Sequence, residues 1–250
     1  MYEKEKADFL RKGYAIVPNF LDVGEDMEQL RGECSHVVAG APHHSVDSCI
    51  YEPRRAIEEV PLCERPTCVQ RLVGRLAQVA AVLLEGRVED VLLLHEQYIA
   101  KPPHSPKSAF SWHFDSENVA DTVYTPYASF WVCLDDVKHE NGTLQFLPFS
   151  EGHRMSREQA TALLSSIMVK QEYEGFDEYL SEHEAETISA GTGSLVILSD
   201  TVLHRSFPNK SARFRRAFMP QLGFSPIKEG GKRIPVLDPC GKPSSKKQKV

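Results

Sequence analysis

The chain has 250 residues, of which 41% are hydrophobic and 26% are charged, and its formal net charge at pH 7 is −6. This length and balance are typical of a globular domain with a core of its own. The negative charge argues against a general nucleic-acid-binding protein, because binding to phosphate needs an excess of positive charge.

The N-terminal third of the chain shows helical patterns. EKEKADFLRK predicts a short helix before the strand YAIVPNF, EDMEQLRGECSHVV predicts a second helix, and TCVQRLVGRLAQVAAVLLEG predicts an amphipathic third helix. The stretch from Gly40 to Pro66 is rich in proline, histidine and charge, which predicts a long loop. Loops of this length are functional lids or disordered segments, and the sequence leaves both alternatives open.

After the third helix, apolar residues recur with a period of two. VLLLHEQYIA, YASFWVCLDD, TLQFLP, GSLVILSD and RAFMPQLGF are short β-rich runs between turn signals. SREQATALLSSIMV predicts a helical insertion, and EYEGFDEYLSEHE predicts an acidic surface segment. Helices followed by evenly spaced strands predict one α+β domain over residues 1–235 whose strands close into a sandwich or barrel. The polar, basic residues 236–250 predict a flexible tail.

Two histidines and an aspartate are candidate metal ligands. His113 and Asp115 stand two residues apart in SWHFDSEN, so in a strand both would face the same side while Phe114 packs on the other. His204 follows a strong predicted strand in GSLVILSDTVLHRS. Two imidazoles and one carboxylate leave one face of iron(II) open for cosubstrate and oxygen, and zinc suits the same ligands. An isolated HxD is more often an accident or a surface ion pair, so the metal assignment depends on the downstream context of His204.

Arg215 is a candidate for binding an anion. The run RFRRAFMPQLGF places it on one strand face with Ala217, Met219 and Gln221. A buried arginine beside small and flexible residues indicates an anionic partner, because burial of an unpaired charge is costly. Its planar guanidinium can bind the distal carboxylate of a 2-oxo acid through two hydrogen bonds. We expect the neighbouring Arg216 to be exposed.

The order of these motifs resembles the phytanoyl-CoA dioxygenase family of iron(II)/2-oxoglutarate-dependent oxygenases. The motifs are the HxD, LPFSEGHR after a glycine-containing turn, and GTGSLVILSDTVLHRSFPNKSARFRRA, and the resemblance extends from FLRKGYAIVPNFL to about Phe224. It implies a double-stranded β-helix (jelly-roll, cupin-like) core with flanking N-terminal helices. It also implies a catalytic metal triad of His113, Asp115 and His204.

The resemblance further implies which residues bind the cosubstrate. Arg215 would bind the C5 carboxylate of 2-oxoglutarate with Ser206 as its hydroxyl neighbour, and Gln97 and Trp131 would be further cosubstrate contacts. From the residues alone, Trp131 is equally well explained as a core residue and Gln97 as a tolerated polar residue. The implied cofactors are iron(II) and 2-oxoglutarate, with ascorbate as a further candidate.

The function implied is that of a non-haem iron(II), 2-oxoglutarate-dependent dioxygenase. Such an enzyme hydroxylates or otherwise oxidises a C–H bond of a small organic substrate and releases succinate and carbon dioxide. Asp115 favours hydroxylation, because halogenating relatives carry a small residue in its place. The alternatives are a catalytically inactive metal-binding or regulatory protein on the same fold, and a zinc-dependent hydrolase or isomerase, which would leave Arg215 without a role.

The cysteines and the two termini indicate where in the cell the protein is expected to act. Six scattered cysteines without a CxxC pair predict reduced thiols, and neither a signal peptide nor a membrane-spanning run is evident. The ending KKQKV differs from a peroxisomal SKL, while KPSSKKQKV admits nuclear targeting. We therefore expect a cytoplasmic protein whose partners are dioxygen and a small substrate, with no membrane or nucleic acid.

Overall fold

The computed structural model describes residues 2–40, 62–149, 153–171, 176–227, 231 and 233–237. In these parts of the chain, no helix has both the length and the apolar character needed to span a membrane. Most of the predicted loop between Gly40 and Pro66 lies outside the described residues, and so does the tail from residue 238 onward. The lid, the boundary of the domain at residue 235 and the flexible tail therefore stay predictions.

Helices cover the N-terminal third and return as an insertion late in the chain. They are α1 (Glu3–Lys12), α2 (Glu25–Gly40), α3 (Thr67–Leu83), α4 (Arg157–Lys170) and α5 (Phe176–Glu182), with short 3-10 turns at Leu62–Glu64 and Val88–Asp90. The first four agree with the predicted helices, whereas α5 lies in the segment predicted only as acidic surface. α4 begins at a capping box, in which the Ser156 hydroxyl accepts from the Gln159 backbone N–H.

Eleven strands are described, and all their pairings are antiparallel. They are β1 (Tyr14–Val17), β2 (Leu92–His95), β3 (Tyr98–Lys101), β4 (Phe110–His113), β5 (Tyr127–Cys133), β6 (Leu144–Leu147), β7 (Glu186–Thr187), β8 (Leu195–Ser199), β9 (Leu203–Ser206), β10 (Arg215–Phe218) and β11 (Gln221–Gly223). The major sheet has the order β1-β8-β5-β10-β3, and β11 joins it between β5 and β2. The minor sheet has the order β4-β9-β6-β7.

The two sheets face each other and form the predicted double-stranded β-helix. The ring of Tyr14 on β1 stacks on Phe146 of β6 with centroids 4.2 Å apart, so side chains of the two sheets meet directly. One cluster of buried residues, including Trp131 and Leu203, fills the space between the sheets. A second cluster joins Phe130 of β5 to Leu72 and other residues of the N-terminal helices, which cover the outer face of the major sheet.

Two predicted strands are each divided in two. The run VLLLHEQYIA breaks between β2 and β3 at Glu96, which is buried and forms an ion pair with Arg65 at 3.0 Å. The run RAFMPQLGF breaks between β10 and β11 at Pro220, which has no N–H for the ladder but still accepts from Phe130 N at 2.9 Å. Both halves of each run continue along the same sheet, and β10 and β11 therefore both pair with β5.

The turn before β8 requires a glycine, and this requirement yields a stability prediction. Gly193 has a φ of +82°, its carbonyl accepts from Leu21 N at 2.9 Å, and an added Cβ would lie 2.1 Å from the Leu21 carbonyl oxygen. We expect Gly193→Ala to lower the free energy of unfolding by more than about 2 kcal/mol, because left-handed backbone and a steric clash add up. Urea denaturation measures this loss.

Gly191→Ala is the matched control for that measurement. A Cβ on Gly191 would meet only Asp136 Oδ1, at 3.9 Å, in ordinary van der Waals contact. We expect this variant to stay within about 1 kcal/mol of the parent protein, as is usual when alanine fits the backbone of a glycine. Equal losses in the two variants would contradict the explanation for Gly193.

Candidate metal centre

His113 and His204 lie directly opposite each other on β4 and β9. They are cross-strand partners, and their ring centroids are 4.2 Å apart. Asp115 joins them, so that the potential ligand atoms of the three side chains all lie within 4.8 Å of one another. The structure thus brings the three predicted metal ligands together.

The local positions of these ligands differ from prediction in two respects. β4 ends at His113, so Asp115 lies in the turn that follows and not on the strand. This turn is held by Ser116, whose N–H and hydroxyl both donate to the Asp200 carbonyl oxygen at 3.0 Å. His204, predicted just beyond a strand, lies within β9. A hydrogen-bonded turn therefore brings Asp115 to the pair of histidines, although an alternating strand face was expected.

Backbone carbonyls orient both imidazoles. Nδ1 of His113 lies 2.8 Å from the Ser111 carbonyl oxygen, and Nδ1 of His204 lies 3.0 Å from that of Val202. A neutral imidazole that donates through Nδ1 leaves Nε2 as the acceptor that binds a metal. Burial lowers the pKa of His204 below its usual range, and the adjacent His113 acts in the same direction. His204 is therefore in the neutral form that metal binding requires.

The carboxylate of Asp115 has two different oxygen environments. Oδ1 lies 3.8 Å from His204 Nε2, on the side of the histidine pair. Oδ2 accepts a hydrogen bond from the hydroxyl of Ser129 on β5. The carboxylate thus presents one oxygen to the histidines while the other is bound to the major sheet.

A cavity of about 170 Å³ lies beside the three ligands, between the two sheets. Its walls include Ile99, Phe110, Leu144 and Met219, which make it largely apolar. All seven residues predicted for the site also line it, namely Gln97, His113, Asp115, Trp131, His204, Ser206 and Arg215. Three of these seven positions, Gln97, Trp131 and Ser206, came only from the family resemblance, and the fold brings them to the same cavity as the metal ligands.

Arg215 contributes a buried cation to this cavity. Its side chain is 1% exposed, and its guanidinium carbon lies 5.1 Å from the ring centroid of Trp131. Its Nη1 is 3.5 Å from the Ile99 carbonyl oxygen. The expectation that the neighbouring Arg216 is exposed is wrong, because Arg216 is half-buried and donates two hydrogen bonds of 2.8 Å to the Asp135 carboxylate.

Lys101 is a residue of this site that we did not predict. It is fully buried, is the cross-strand partner of Arg215, and donates to the Ser206 hydroxyl at 2.7 Å and to the Phe207 carbonyl. A lysine at the end of the apolar strand YIAK, on the same face as Ile99, was the available signal. Lys101 thus places a second buried basic side chain beside Ser206, which lines the same cavity as Arg215.

Gln97 lies between β2 and β3, where the run of strand residues breaks. Its Oε1 is 3.3 Å from His95 Nε2, and its Nε2 is 4.0 Å from the sulfur of Met219. A thioether at that distance is a weak acceptor, so the amide N–H groups of Gln97 can serve a ligand in the cavity. The structure therefore brings Gln97 to the site, and its role there stays a prediction.

A jelly roll that encloses two histidines, one aspartate and a buried arginine has the architecture of a metal-dependent oxygenase fold. The family described as Phytanoyl-CoA dioxygenase (PhyH) matches residues 9–217. The chain therefore belongs to the phytanoyl-CoA dioxygenase family, as the resemblance of its motifs predicted. A sequence search of curated proteins finds no match.

Solved structures share this fold at low sequence identity. The non-heme alpha ketoglutarate dependent epimerase SnoN from nogalamycin biosynthesis is 18% identical, with a TM-score of 0.65 over 88% of this chain and 81% of its own. The carbocyclase SnoK of the same biosynthesis is 15% identical, with a TM-score of 0.66 over 90% of this chain and 84% of its own. EctD from S. alaskensis, solved with 2-oxoglutarate and 5-hydroxyectoine, is 19% identical, with a TM-score of 0.63 over 89% of this chain and 76% of its own. These similarities establish the shared fold.

Proposed function

We propose that this protein is a non-haem iron(II), 2-oxoglutarate-dependent dioxygenase that oxidises a C–H bond of a small organic substrate. Succinate and carbon dioxide would be the products of the cosubstrate. The observation that carries the proposal is the convergence of His113, Asp115 and His204 at a cavity that also contains the buried Arg215. Family membership supports the same conclusion.

The residues present fit an iron(II) ion. Two imidazoles with free Nε2 atoms and one carboxylate form the facial set of ligands that non-haem iron(II) oxygenases use, with the opposite face open. Nδ1 hydrogen bonds to backbone carbonyls orient both rings before a metal binds. When bound, iron and 2-oxoglutarate supply the oxidising chemistry, while the protein supplies ligation, orientation and exclusion of water.

The cationic end of the cavity fits the distal carboxylate of 2-oxoglutarate. Arg215 can donate two parallel hydrogen bonds to it, and the ring of Trp131 beneath the guanidinium limits the freedom of that side chain. Ser206 lies near this end and is held by Lys101. Met219 and Ile99 contribute apolar walls that keep water from the cosubstrate. We assign cosubstrate contacts to Gln97, Trp131, Ser206 and Arg215.

Within this class, hydroxylation is the outcome that we propose. The aspartate at position 115 occupies the place where halogenating relatives carry a small residue. The structural neighbours include proteins named as an epimerase and a carbocyclase, so the shared fold accommodates more than one type of reaction. Dioxygen and a small molecule are the proposed partners, and ascorbate is a proposed auxiliary. We also propose that the protein acts in the cytoplasm.

The alternatives predicted from the sequence have less support. A catalytically inactive relative has no need for the complete set of three metal ligands together with a buried arginine in the same cavity. A zinc-dependent hydrolase would use the three ligands but gives no role to Arg215.

Anaerobic reconstitution tests the proposal. The purified protein is titrated with iron(II) and then with 2-oxoglutarate, and a library of metabolites is screened in air for compounds that accelerate succinate release. We expect 2-oxoglutarate to bind the iron-loaded protein and to bind the zinc-loaded protein without succinate release. Failure of the iron-loaded protein to bind 2-oxoglutarate would rule out the proposed function.

A further inference from the structure

We infer that Ser129 and Gln221 form a hydrogen-bonded pair that fixes Asp115 as a one-oxygen metal ligand. Both are positioning residues, because they act through the carboxylate and do not themselves reach the metal. The inference rests on the proposed function, since it concerns the geometry of the same metal centre.

The pair belongs to the centre of the major sheet. Ser129 on β5 is fully buried and is the cross-strand partner of Gln221 on β11 and of Leu198 on β8. Gln221 is 5% exposed, and its Nε2 donates to the Ser129 hydroxyl oxygen at 3.1 Å. Ser129 in turn donates to Oδ2 of Asp115. Two strands of the major sheet therefore hold a ligand that follows a strand of the minor sheet.

The direction of these hydrogen bonds follows from the chemistry of the groups. A serine hydroxyl has one hydrogen to donate and lone pairs that accept. Since the amide N–H of Gln221 occupies an accepting position of Ser129, the single hydrogen of Ser129 is free for Asp115. An ionised carboxylate is also the stronger acceptor in this surrounding. Gln221 thereby orients Ser129, and Ser129 orients Asp115.

The consequence concerns the number of open positions on the metal. With Oδ2 of Asp115 bound to Ser129, Oδ1 is the oxygen that faces His204 Nε2. A carboxylate that binds through one oxygen leaves three positions of an octahedral ion for other ligands, whereas two-oxygen binding leaves only two. A 2-oxo acid that chelates through two atoms needs the larger number if oxygen is to bind as well. Ser129 thus keeps a position open.

Ser129→Ala tests this role through metal coordination as well as turnover. Iron(II) and cobalt(II) affinities are measured anaerobically, and the absorption spectrum of the cobalt-loaded protein reports coordination number. We expect the dissociation constant for the metal to rise about 10–100-fold, the range for losing a hydrogen-bond partner of a metal ligand. We also expect the cobalt spectrum to change and the affinity of the metal-loaded protein for 2-oxoglutarate to fall.

Two further variants separate positioning from folding. Ser129→Thr keeps the hydroxyl, so we expect it to retain the metal affinity and the cobalt spectrum of the parent protein. Gln221→Met keeps the length of the side chain but cannot donate to Ser129, and we expect a smaller change in the same direction as Ser129→Ala. Thermal unfolding of each variant shows that the protein tested is folded.

Ser108→Ala is the matched control for loss of a buried hydroxyl. Ser108 is fully buried, donates to the Ser105 carbonyl at 2.7 Å and lies outside the cavity. We expect it to lose stability without a change in metal affinity or cobalt spectrum. If both Ser129→Ala and Gln221→Met kept the metal affinity and the cobalt spectrum of the parent protein, the positioning role of Ser129 and Gln221 would be overturned. A parent protein that binds no iron(II) would overturn the proposed function itself.

Discussion

Replacement of either histidine of the candidate metal centre is expected to abolish iron(II) binding and succinate release together. In His204→Ala or His113→Ala, only two of the three side chains at the centre remain. The remaining histidine, on the opposite strand, cannot replace the lost ligand. We expect the affinity for iron(II) to fall more than about 100-fold, because loss of a metal ligand costs more than loss of a residue that hydrogen-bonds to a ligand. Anaerobic iron titration and succinate assays measure the two losses.

An exposed histidine provides the control for this prediction. His36 lies on the outer surface of α2, so His36→Ala removes an imidazole without touching the cavity. We expect its iron affinity and turnover to equal those of the parent protein. If purified His113→Ala consumed 2-oxoglutarate as fast as the parent, the assignment of the ligands would be wrong.

Arg215→Ala is expected to weaken binding of 2-oxoglutarate while leaving the affinity for iron(II) nearly unchanged. Removal of one partner of a buried ion pair costs about 3 kcal/mol or more, which corresponds to roughly 100-fold in affinity. The affinity of Arg215→Lys for 2-oxoglutarate should lie between those of the parent protein and Arg215→Ala, because an ammonium keeps the charge but loses the planar pair of donors. The readouts are the KM for 2-oxoglutarate and its dissociation constant on the iron-loaded protein.

The adjacent arginine on the same strand is the natural control. Arg216 points to the opposite face of β10, where it pairs with Asp135, so Arg216→Ala removes the same type of side chain from outside the cavity. We expect its affinity for 2-oxoglutarate to match that of the parent protein. Equal weakening in Arg215→Ala and Arg216→Ala would show that β10 had been disturbed and would contradict a specific role for Arg215.

The faces of the strands could be predicted from the sequence because they depend on local alternation. In RFRRAFMPQLGF, the predicted face of Arg215, Ala217, Met219 and Gln221 is the one directed toward the space between the sheets. The opposite face, with Phe218 among its residues, packs against the N-terminal helices. A period of two survives even the break at the proline, because both halves of the run pair with the same strand.

The contacts between strands could not be predicted, because they depend on how distant segments close the barrel. Nothing near Ser129 in the chain indicates that Gln221 and Asp115 are its partners. Similarly, no local signal shows that Arg65 divides VLLLHEQYIA by pairing with Glu96. The position of Asp115 beyond the end of β4 also depends on a tertiary hydrogen bond. The three candidate ligands could thus be predicted from motifs, whereas the hydrogen bonds that hold them in place could not.

The side chains that would hold the two ends of the cosubstrate lie on opposite sheets of the barrel. The distance between the sheets therefore limits the length of the molecule that can bind. His113 and His204 belong to the minor sheet, while Arg215 belongs to the major sheet. Packed sheets lie about 10 Å apart, and large side chains such as Trp131 set that separation. Side chains from both walls project into the space between the sheets, so a diacid bound by the histidine side has to bridge only the gap that these side chains leave. We therefore expect the packing of the two walls to determine which chain length of 2-oxo diacid fits between them.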